Sequence, residues 1–323
     1  MVPVLKICVV IPAYKVERQI CSVIEQISPL AHAIYVVDDC CPNHSGKIVE
    51  QNCNDERITV LFHSENQGVG GAVKSGYERG LKDGMDIFVK IDGDGQMDPT
   101  LLSDLTHSIS VGEADYVKGN RFYHLESLEQ MPLVRKMGNA VLSLINKFTS
   151  GYWDTMDPTN GFTAIHRNAL FHLPLQKINN RYFFESDMLF RLGTIRAVVK
   201  ELPMPAIYAE EDSNLKVSAF ALQFGPAYIK IFFKRIFYTY FLRDFNAASL
   251  EMVVGSLLFL FGSIFGAKSW ISASTGGELT SAGTVMLAAV PLIMGFQLLL
   301  SALHYDIGNV PDQPLQSRRL EIS

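Results

Sequence analysis

Three absences narrow the functions that this sequence can have. The formal net charge is −5 and the N-terminal part holds no basic tract, which argues against a nucleic-acid partner. The five cysteines are odd in number, show no zinc-ligand spacing and suit a reducing compartment. The N-terminal apolar run is broken by Lys6 and Pro12, so it reads as a strand and not as a signal peptide. We therefore expect a large N-terminal domain in the cytoplasm.

Long uncharged runs occur toward the C-terminal end of the chain. One extends from Met252 to Ala267, and a second extends from Leu279 to His304. With a few flanking residues, each reaches the roughly 20 residues that cross a bilayer as a helix. The alternative is a pair of buried core helices. The short polar loop between the two runs favours neighbouring membrane spans.

Basic residues on both flanks predict the orientation of these spans. Four precede the first span and two follow the second: Lys230, Lys234, Arg235, Arg243, Arg318 and Arg319. Cytoplasmic flanks of membrane spans are enriched in lysine and arginine. We therefore predict a multi-pass protein of the inner (plasma) membrane, with its N-terminal domain and its C-terminal tail on the cytoplasmic side.

Aromatic residues interleave with basic ones between Phe220 and Phe245. Such a segment is expected at a membrane interface, with its rings at headgroup depth and its cations toward anionic lipid or a prenyl phosphate. A core helix packed on the soluble domain is the alternative. The predicted organisation is a cytoplasmic domain over residues 1–217, juxtamembrane helices over 218–247, a two-helix anchor over 248–305 and a cytoplasmic tail over 306–323.

Short apolar runs alternate with amphipathic segments up to about residue 210. The strand-like runs cover 7–11, 33–37, 58–62 and 87–91, and helical segments lie near 17–28, 44–53 and 69–83. This alternation predicts an α/β fold in which helices cover a mostly parallel sheet. Ligands of such sheets bind at the carboxyl ends of the strands, where several polar motifs of this chain are located.

The most informative of these motifs follows the fourth run and reads Asp92-Gly93-Asp94-Gly95-Gln96. Carboxylates one residue apart suit a hard divalent cation, Mg²⁺ or Mn²⁺, which leaves its other positions to water and substrate phosphates. The glycines allow a tight turn and the close approach of a polyphosphate. A surface turn rich in aspartate and glycine is the alternative.

Two further motifs follow strand-like runs. Asp38 and Asp39 either hydrogen-bond a base or a ribose hydroxyl, or cap the helix that follows. A glycine-dense turn over 66–72 opens the helix that contains Gly70 and Lys74, and helix N-termini attract phosphate. The turn has neither a Walker lysine-serine pair nor a Rossmann spacing, so tight helix-to-sheet packing explains its glycines equally well.

The order of motifs resembles the inverting glycosyltransferase family 2 of GT-A fold, in its polyprenyl-phosphate branch. The matching segments are VVIPAYK, VVDD, ENQGVGGAVKSGY, KIDGDGQMDP, GNR, DPTNGFTAI, RYFFESDML and YAEEDSNLK. The resemblance covers nearly the whole chain. It implies transfer of a sugar from a nucleotide-sugar donor, expected to be UDP-linked, to a polyprenyl (undecaprenyl-type) phosphate, with Mg²⁺ or Mn²⁺ as cofactor. Relatives with two spans can form homo-oligomers.

The resemblance also implies donor-side roles for individual residues. Asp92 would lie near the donor ribose and the metal, Asp94 would ligate the metal, and Gln96 would complete that site with its amide oxygen. Asp39 would recognise the base, and the pocket wall would consist of Pro12, Tyr14 and Glu17. Gly70 and Lys74 belong to the candidate phosphate-binding turn. Arg121 would pair with phosphate through its planar fork of donors; a surface salt bridge is its alternative.

On the acceptor side, the resemblance points to Asp157, Glu185 and Asp187, one of which would orient the acceptor or act as a base. A helix cap is the alternative for Asp157 and Asp187. A dedicated base is not required chemically, because a phosphate oxygen is already ionised at neutral pH. Where many mannosyl relatives carry an arginine after the late strand, this chain has only Ser213, Asn214 and Lys216 as phosphate contacts, which favours the bactoprenol-like branch.

Two rival functions are weaker. A processive polysaccharide synthase usually carries a Gln-x-x-Arg-Trp element, and the two tryptophans here, Trp153 and Trp270, lie outside that context. A membrane-anchored nucleotide-sugar sensor would keep the fold without turnover. The intact acidic motif argues against it.

Overall fold

A computed structural model describes residues 5–123, 133–205, 217–276 and 279–317. The chain divides into two units by its internal contacts. The first comprises residues 1–232 together with 311–323, and the second comprises residues 233–310. The predicted phosphate contacts Ser213, Asn214 and Lys216 lie outside the described residues.

The described part of the first unit contains a sheet of seven strands. They are β1 (Ile7–Ala13), β2 (Ala31–Asp38), β3 (Ile58–Phe62), β4 (Ile87–Lys90), β5 (Tyr116–Asn120), β6 (Thr163–His166) and β7 (Val199–Pro203). Their order is β3-β2-β1-β4-β6-β5-β7, with β6 antiparallel to β4 and β5 and the other pairs parallel. Central strands such as β1 are continuous apolar runs because helices cover both faces. The predicted mostly parallel sheet is confirmed.

Among the described residues, seven α-helices lie between these strands, and an eighth follows β7 and extends across the boundary between the two units. They are α1 (Ile20–Glu25), α2 (Ser45–Asn52), α3 (Val69–Lys82), α4 (Leu102–Ser110), α5 (Leu133–Ser150), α6 (Arg167–His172), α7 (Phe184–Thr194) and α8 (Val217–Ile236). Helix α3 packs closely on the sheet because it carries Gly76, where a Cβ atom would lie 2.3 Å from Val10 Cγ1. This glycine therefore serves helix-to-sheet packing.

The strand order changes direction at β1. Strands β2 and β3 lie on one side of β1, and β4 lies on its other side. Ligands of α/β sheets bind in a crevice at the carboxyl ends of the strands, where the strand order changes direction. The polar motifs after β1, β2 and β4 therefore meet at one edge.

The second unit contains two long apolar helices, α9 (Ala247–Gly276) and α10 (Ala282–Gly308), preceded by a π-helical segment over Phe237–Arg243. Within the described chain, these two are long and apolar enough to cross a membrane, and only 11% of the most apolar window of each is buried. So little burial argues against core helices. The helices pack antiparallel, since Glu251 accepts a hydrogen bond from Ser301 while Gly262 lies against Leu292.

Arg235 lies in a place that sequence reasoning did not anticipate. Its side chain is buried and forms an ion pair with Asp306, near the end of α10. The hydroxyl of Tyr240 donates to the same carboxylate. The prediction that Arg235 faces anionic lipid is therefore corrected: burial of Asp306 requires a charged partner, and Arg235 supplies it.

The chain returns to the first unit after the apolar hairpin. Asp115 is fully buried and accepts hydrogen bonds from the backbone N–H groups of Leu315 at 2.9 Å and Val198 at 2.8 Å. The side chain of Gln316 donates to the carbonyl groups of Ile109 and Ala114. The hairpin therefore begins and ends at the same unit.

Candidate active site

A cavity of about 450 Å³ opens at the carboxyl edge of the sheet, a size typical of small-molecule sites. Its lining comes from the end of β1, the loops after β1, β2, β3 and β4, the start of α3 and the segment before α7. Among the lining residues are Pro12, Tyr14, Asp39, Gly68, Asp92, Asp94, Arg181 and Tyr182. The fold thus brings five of the predicted site residues together: Pro12, Tyr14, Asp39, Asp92 and Asp94.

The acidic motif forms a tight turn at the cavity wall. Gly95 has φ of +76°, a backbone conformation that favours glycine. The Asp94 Oδ1 atom accepts a hydrogen bond from the Gln96 backbone N–H at 3.0 Å, which closes the turn. Gln96 itself is outside the set of residues that line the cavity.

A buried lysine adjoins this motif. Lys90 is 1% exposed, and its Nζ atom lies 2.7 Å from Asp92 Oδ1 and 3.4 Å from Glu185 Oε1. Burial by itself would lower the pKa of Lys90, but the charges of Asp92 and Glu185 outweigh it and the pKa is raised. Sequence reasoning missed Lys90. A charged residue inside an apolar strand, directly before an acidic motif, was the available signal.

The two neighbouring aspartates after β2 have different roles. Asp38 caps α2, since its carboxylate accepts hydrogen bonds from the N–H groups of Cys41 and Gly46, both at 2.7 Å. Asp39 accepts from the N–H groups of Gln67 at 2.9 Å and Gly68 at 2.7 Å. For Asp38 the structure shows the helix-cap alternative. Asp39 holds the glycine-dense turn against the cavity.

Lys74 and Gly70 belong to the packing of α3 against the segment before α7. Lys74 Nζ donates to the carbonyl oxygen of Ile178 at 3.0 Å and also to the Asn180 side chain. Burial lowers the pKa of Lys74. A Cβ atom at Gly70 would lie 2.4 Å from the Asn179 carbonyl oxygen. Both residues fix the segment that leads into the cavity wall and are not themselves in the described lining.

Glu17 lies outside the cavity lining as well. Its Oε1 atom accepts a hydrogen bond from the Asn43 side chain at 2.7 Å. The contact joins the loop after β1 to the loop after β2. Glu17 therefore supports the loops that form the wall.

Arg121 and Asp157 are partners of each other. Arg121 donates from Nε at 2.8 Å and from a terminal nitrogen at 2.9 Å to the two oxygens of Asp157, which is fully buried. Arg121 therefore forms a salt bridge with a buried partner, and its pairing with phosphate stays a prediction. Lys118 donates to the backbone carbonyl of Asp157, and burial lowers the pKa of Lys118 to about 8. Burial also raises the pKa of the neighbouring Glu201. Sequence reasoning missed both residues.

The remaining carboxylates lie in the first turn of α7. Asp187 accepts a hydrogen bond from the Asn179 N–H at 2.8 Å and pairs with Arg191 at 3.2 Å. Glu185 faces Lys90. Of the three acceptor-side candidates, Glu185 is the one connected to the acidic motif.

The donor set suits a hard cation that is shared with substrate phosphates. Asp92 and Asp94 place carboxylate oxygens on the cavity wall. The described residues contain no group of three or more histidine, cysteine, aspartate or glutamate side chains arranged to hold a metal ion. Mg²⁺ commonly takes one or two protein carboxylates and substrate phosphates, so these residues fit such an ion.

Comparison with known proteins agrees with this arrangement. The chain is 30% identical over 218 residues to a UDP-N-acetylglucosamine–dolichyl-phosphate N-acetylglucosaminyltransferase of Methanococcus voltae, over 63% of this chain and 86% of that protein. It is 30% identical over 179 residues to an undecaprenyl-phosphate mannosyltransferase of Micrococcus luteus, over 55% of this chain and 72% of the relative.

A solved structure shares the fold. Glucosyl-3-phosphoglycerate synthase from Mycobacterium tuberculosis, in complex with Mn²⁺, UDP and phosphoglyceric acid, superposes with a TM-score of 0.52 at 19% identity, over 72% of this chain and 78% of that chain. The GT-A architecture expected from the sequence is thereby confirmed. A sequence model described as Glycosyl transferase family 2 matches residues 8–173. The chain therefore belongs to glycosyl transferase family 2.

Proposed function

We propose that the protein is a membrane-bound inverting glycosyltransferase that moves a sugar from a UDP-linked donor to a polyprenyl phosphate on the cytoplasmic face. One observation carries the proposal: a cavity lined by Asp92 and Asp94 lies in a family 2 chain that also carries an apolar helical hairpin. Relatives named for dolichyl and undecaprenyl phosphate acceptors support the choice of lipid.

On the donor side, Asp94 and Asp92 would hold Mg²⁺ or Mn²⁺ beside the donor diphosphate. When bound, the cation would neutralise the charge on the departing diphosphate. Pro12 and Tyr14 form the wall against which the nucleotide base would lie. Asp39 keeps the start of α3 at the cavity, where the helix N-terminus favours phosphate.

On the acceptor side, the chain needs to orient an anion rather than to activate it. A lipid phosphate carries an ionised oxygen that attacks the anomeric carbon directly, and one in-line displacement inverts that carbon. We assign acceptor orientation to Glu185, because it connects to the acidic motif through Lys90. We assign Asp157 and Asp187 to loop positioning, because each is engaged by an arginine.

The membrane setting is supported by α5 and α8. Helix α5 exposes a row of apolar side chains, Leu133, Met137, Val141, Leu144 and Ile145. Helix α8 packs beside it, since the Asn146 side chain donates to the Tyr228 hydroxyl at 3.3 Å. The charged residues in the sequences of both helices are all basic, although the chain as a whole has a net charge of −5. Arg235 is not part of this surface, because it is buried against Asp306. This combination is typical of helices at an anionic membrane surface.

The orientation follows from the chain path and the basic flanks. Residues 311–317 return to the first unit, so two membrane crossings would leave both ends of the hairpin on one side. The lysines and arginines at these ends favour the cytoplasm for that side.

Incubation of the detergent-solubilised full chain with radiolabelled nucleotide sugars and undecaprenyl phosphate tests this function. We expect a lipid-extractable labelled product from a UDP-sugar, dependent on Mg²⁺ or Mn²⁺ and abolished by a chelator. If nucleoside diphosphate is released but none of the nucleotide sugars yields a labelled lipid, the lipid acceptor is refuted. The absence of both would refute transferase activity.

A further inference from the structure

A single buried ammonium group connects the donor side of the candidate site to its acceptor side. Lys90 ends β4, and its Nζ atom lies 2.7 Å from Asp92 Oδ1 and 3.4 Å from Glu185 Oε1. It also donates to the carbonyl oxygen of Gly161 at 3.3 Å. Asp92, Glu185 and Gly161, from three separate parts of the chain, therefore all contact the ammonium group of Lys90.

The backbone at Gly161 closes this arrangement. A Cβ atom added there would lie 2.3 Å from Lys90 Nζ and 2.6 Å from Asp92 Oδ2. No side chain fits at that position without moving the ion pair. The carboxylate of Asp92 therefore lies between the ammonium group of Lys90 and the backbone of Gly161, which has no side chain to displace it.

This geometry opposes binding of a free cation. The ammonium group of Lys90 occupies one oxygen of Asp92 and places a positive charge beside the cavity wall, where it repels a second cation. In the described part of the chain, no third histidine, cysteine, aspartate or glutamate side chain joins Asp92 and Asp94 to form a metal-binding group. A diphosphate would supply the missing negative charge and oxygen ligands.

We propose that Lys90 is a positioning residue that fixes Asp92 and makes retention of the divalent cation depend on the donor diphosphate. The inference rests on the proposed function, in which Asp92 and Asp94 hold the cation. It assigns to Lys90 the selection of the cation–diphosphate complex over the free cation. The same ammonium group also sets the position of Glu185, the carboxylate on the acceptor side.

Titration of the full chain in detergent with Mn²⁺, followed by electron paramagnetic resonance of the unbound ion, measures this dependence without catalysis. The arms are Mn²⁺ alone, Mn²⁺ with UDP and Mn²⁺ with GDP. For the wild type we expect Mn²⁺ to bind at least about tenfold more tightly with one of the nucleotides than alone. In Lys90→Met we expect the affinity for free Mn²⁺ to rise by about tenfold, because the repelling charge is gone.

Lys118→Met is the matched control. It removes another buried ammonium group, from β5, that contacts the Asp157 backbone and not Asp92. We expect it to leave the affinity for free Mn²⁺ unchanged. Lys90→Arg retains the charge and should retain the weak binding of free Mn²⁺.

The proposal is overturned if the wild-type protein binds Mn²⁺ alone as tightly as it binds Mn²⁺ with UDP and Mn²⁺ with GDP. Absence of Mn²⁺ binding in all three arms would overturn it as well. It is also overturned if Lys90→Met leaves the affinity for free Mn²⁺ unchanged or lower. The wild-type comparison decides the first point even if Lys90→Met does not fold. Failure to form a lipid-linked sugar would instead refute the proposed function, since the Mn²⁺ titration requires no acceptor.

Discussion

Replacing Asp94 by asparagine separates the chemistry of the acidic turn from its structure. Asparagine retains a side-chain oxygen in the place of Oδ1, which accepts the 3.0 Å hydrogen bond from the Gln96 N–H. The Asp94 side chain is partly exposed at the cavity wall. We therefore expect the free energy of unfolding to change by no more than about 0.5 kcal/mol, as for most substitutions outside a packed core.

The effect on transfer should be far larger. In the proposed function two carboxylates, those of Asp92 and Asp94, hold the cation, and this substitution removes the charge of one of them. Loss of a single electrostatic contact to developing charge typically costs about 3–4 kcal/mol, or about 10²–10³-fold in rate. We expect kcat/KM for lipid-linked sugar formation to fall by that factor at a fixed Mn²⁺ concentration.

Asp98→Asn is the matched control for this experiment. Asp98 lies four residues further along the same loop, outside the cavity lining, and accepts a hydrogen bond from the Thr100 N–H at 2.9 Å. Asparagine caps such turns about as well as aspartate, so transfer and melting temperature should stay near wild type. Normal transfer by Asp94→Asn, or an equal loss in Asp98→Asn, would refute the assignment of Asp94 to the metal.

Three further outcomes are expected. Arg121→Met should lower the free energy of unfolding by about 3–5 kcal/mol, because it leaves the buried carboxylate of Asp157 without its charged partner; an unchanged denaturation midpoint would contradict this. Because the pKa of Lys118 is lowered to about 8 in the fold, the unfolded chain binds more protons between about pH 8 and 10.5. In that window, the free energy of unfolding of the wild type should therefore rise with pH relative to that of Lys118→Met. If the difference between the melting temperatures of the two proteins does not change with pH, this prediction is wrong. Val141→Cys, labelled with a fluorophore in lipid nanodiscs, should be quenched by lipid-borne nitroxides more strongly than the control Phe171→Cys, although Phe171 is the more exposed of the two side chains; equal quenching would argue against α5 as a membrane surface.

Local sequence patterns were sufficient to predict the first four strands of the sheet and part of the cavity wall. The strands β1 to β4 are short apolar runs bounded by polar turns, so periodicity alone predicts them. The Asp92–Gln96 turn, Asp39 and Tyr14 follow those strands, and a parallel sheet brings such positions together. The family and its fold were predicted from the motifs and are confirmed.

Local sequence patterns could not predict which distant parts of the chain pair with each other. Strand β6 inserts antiparallel between β4 and β5, which depends on contacts between residues far apart in sequence. Buried charges show the same problem, because their partners arrive from elsewhere in the fold. Lys90 meets Glu185, Arg121 meets Asp157, and Arg235 meets Asp306. Sequence motifs indicate that such residues matter, but they do not indicate which charge each one will face.

The return of residues 311–317 to the first unit has a mechanical consequence. The chain passes from the first unit to the second near residue 232 and passes back near residue 311, and the second crossing is secured by the buried carboxylate of Asp115. The two units are therefore connected at two places along the chain. A cut near residue 232 would leave the second unit attached to the first through residues 311–317.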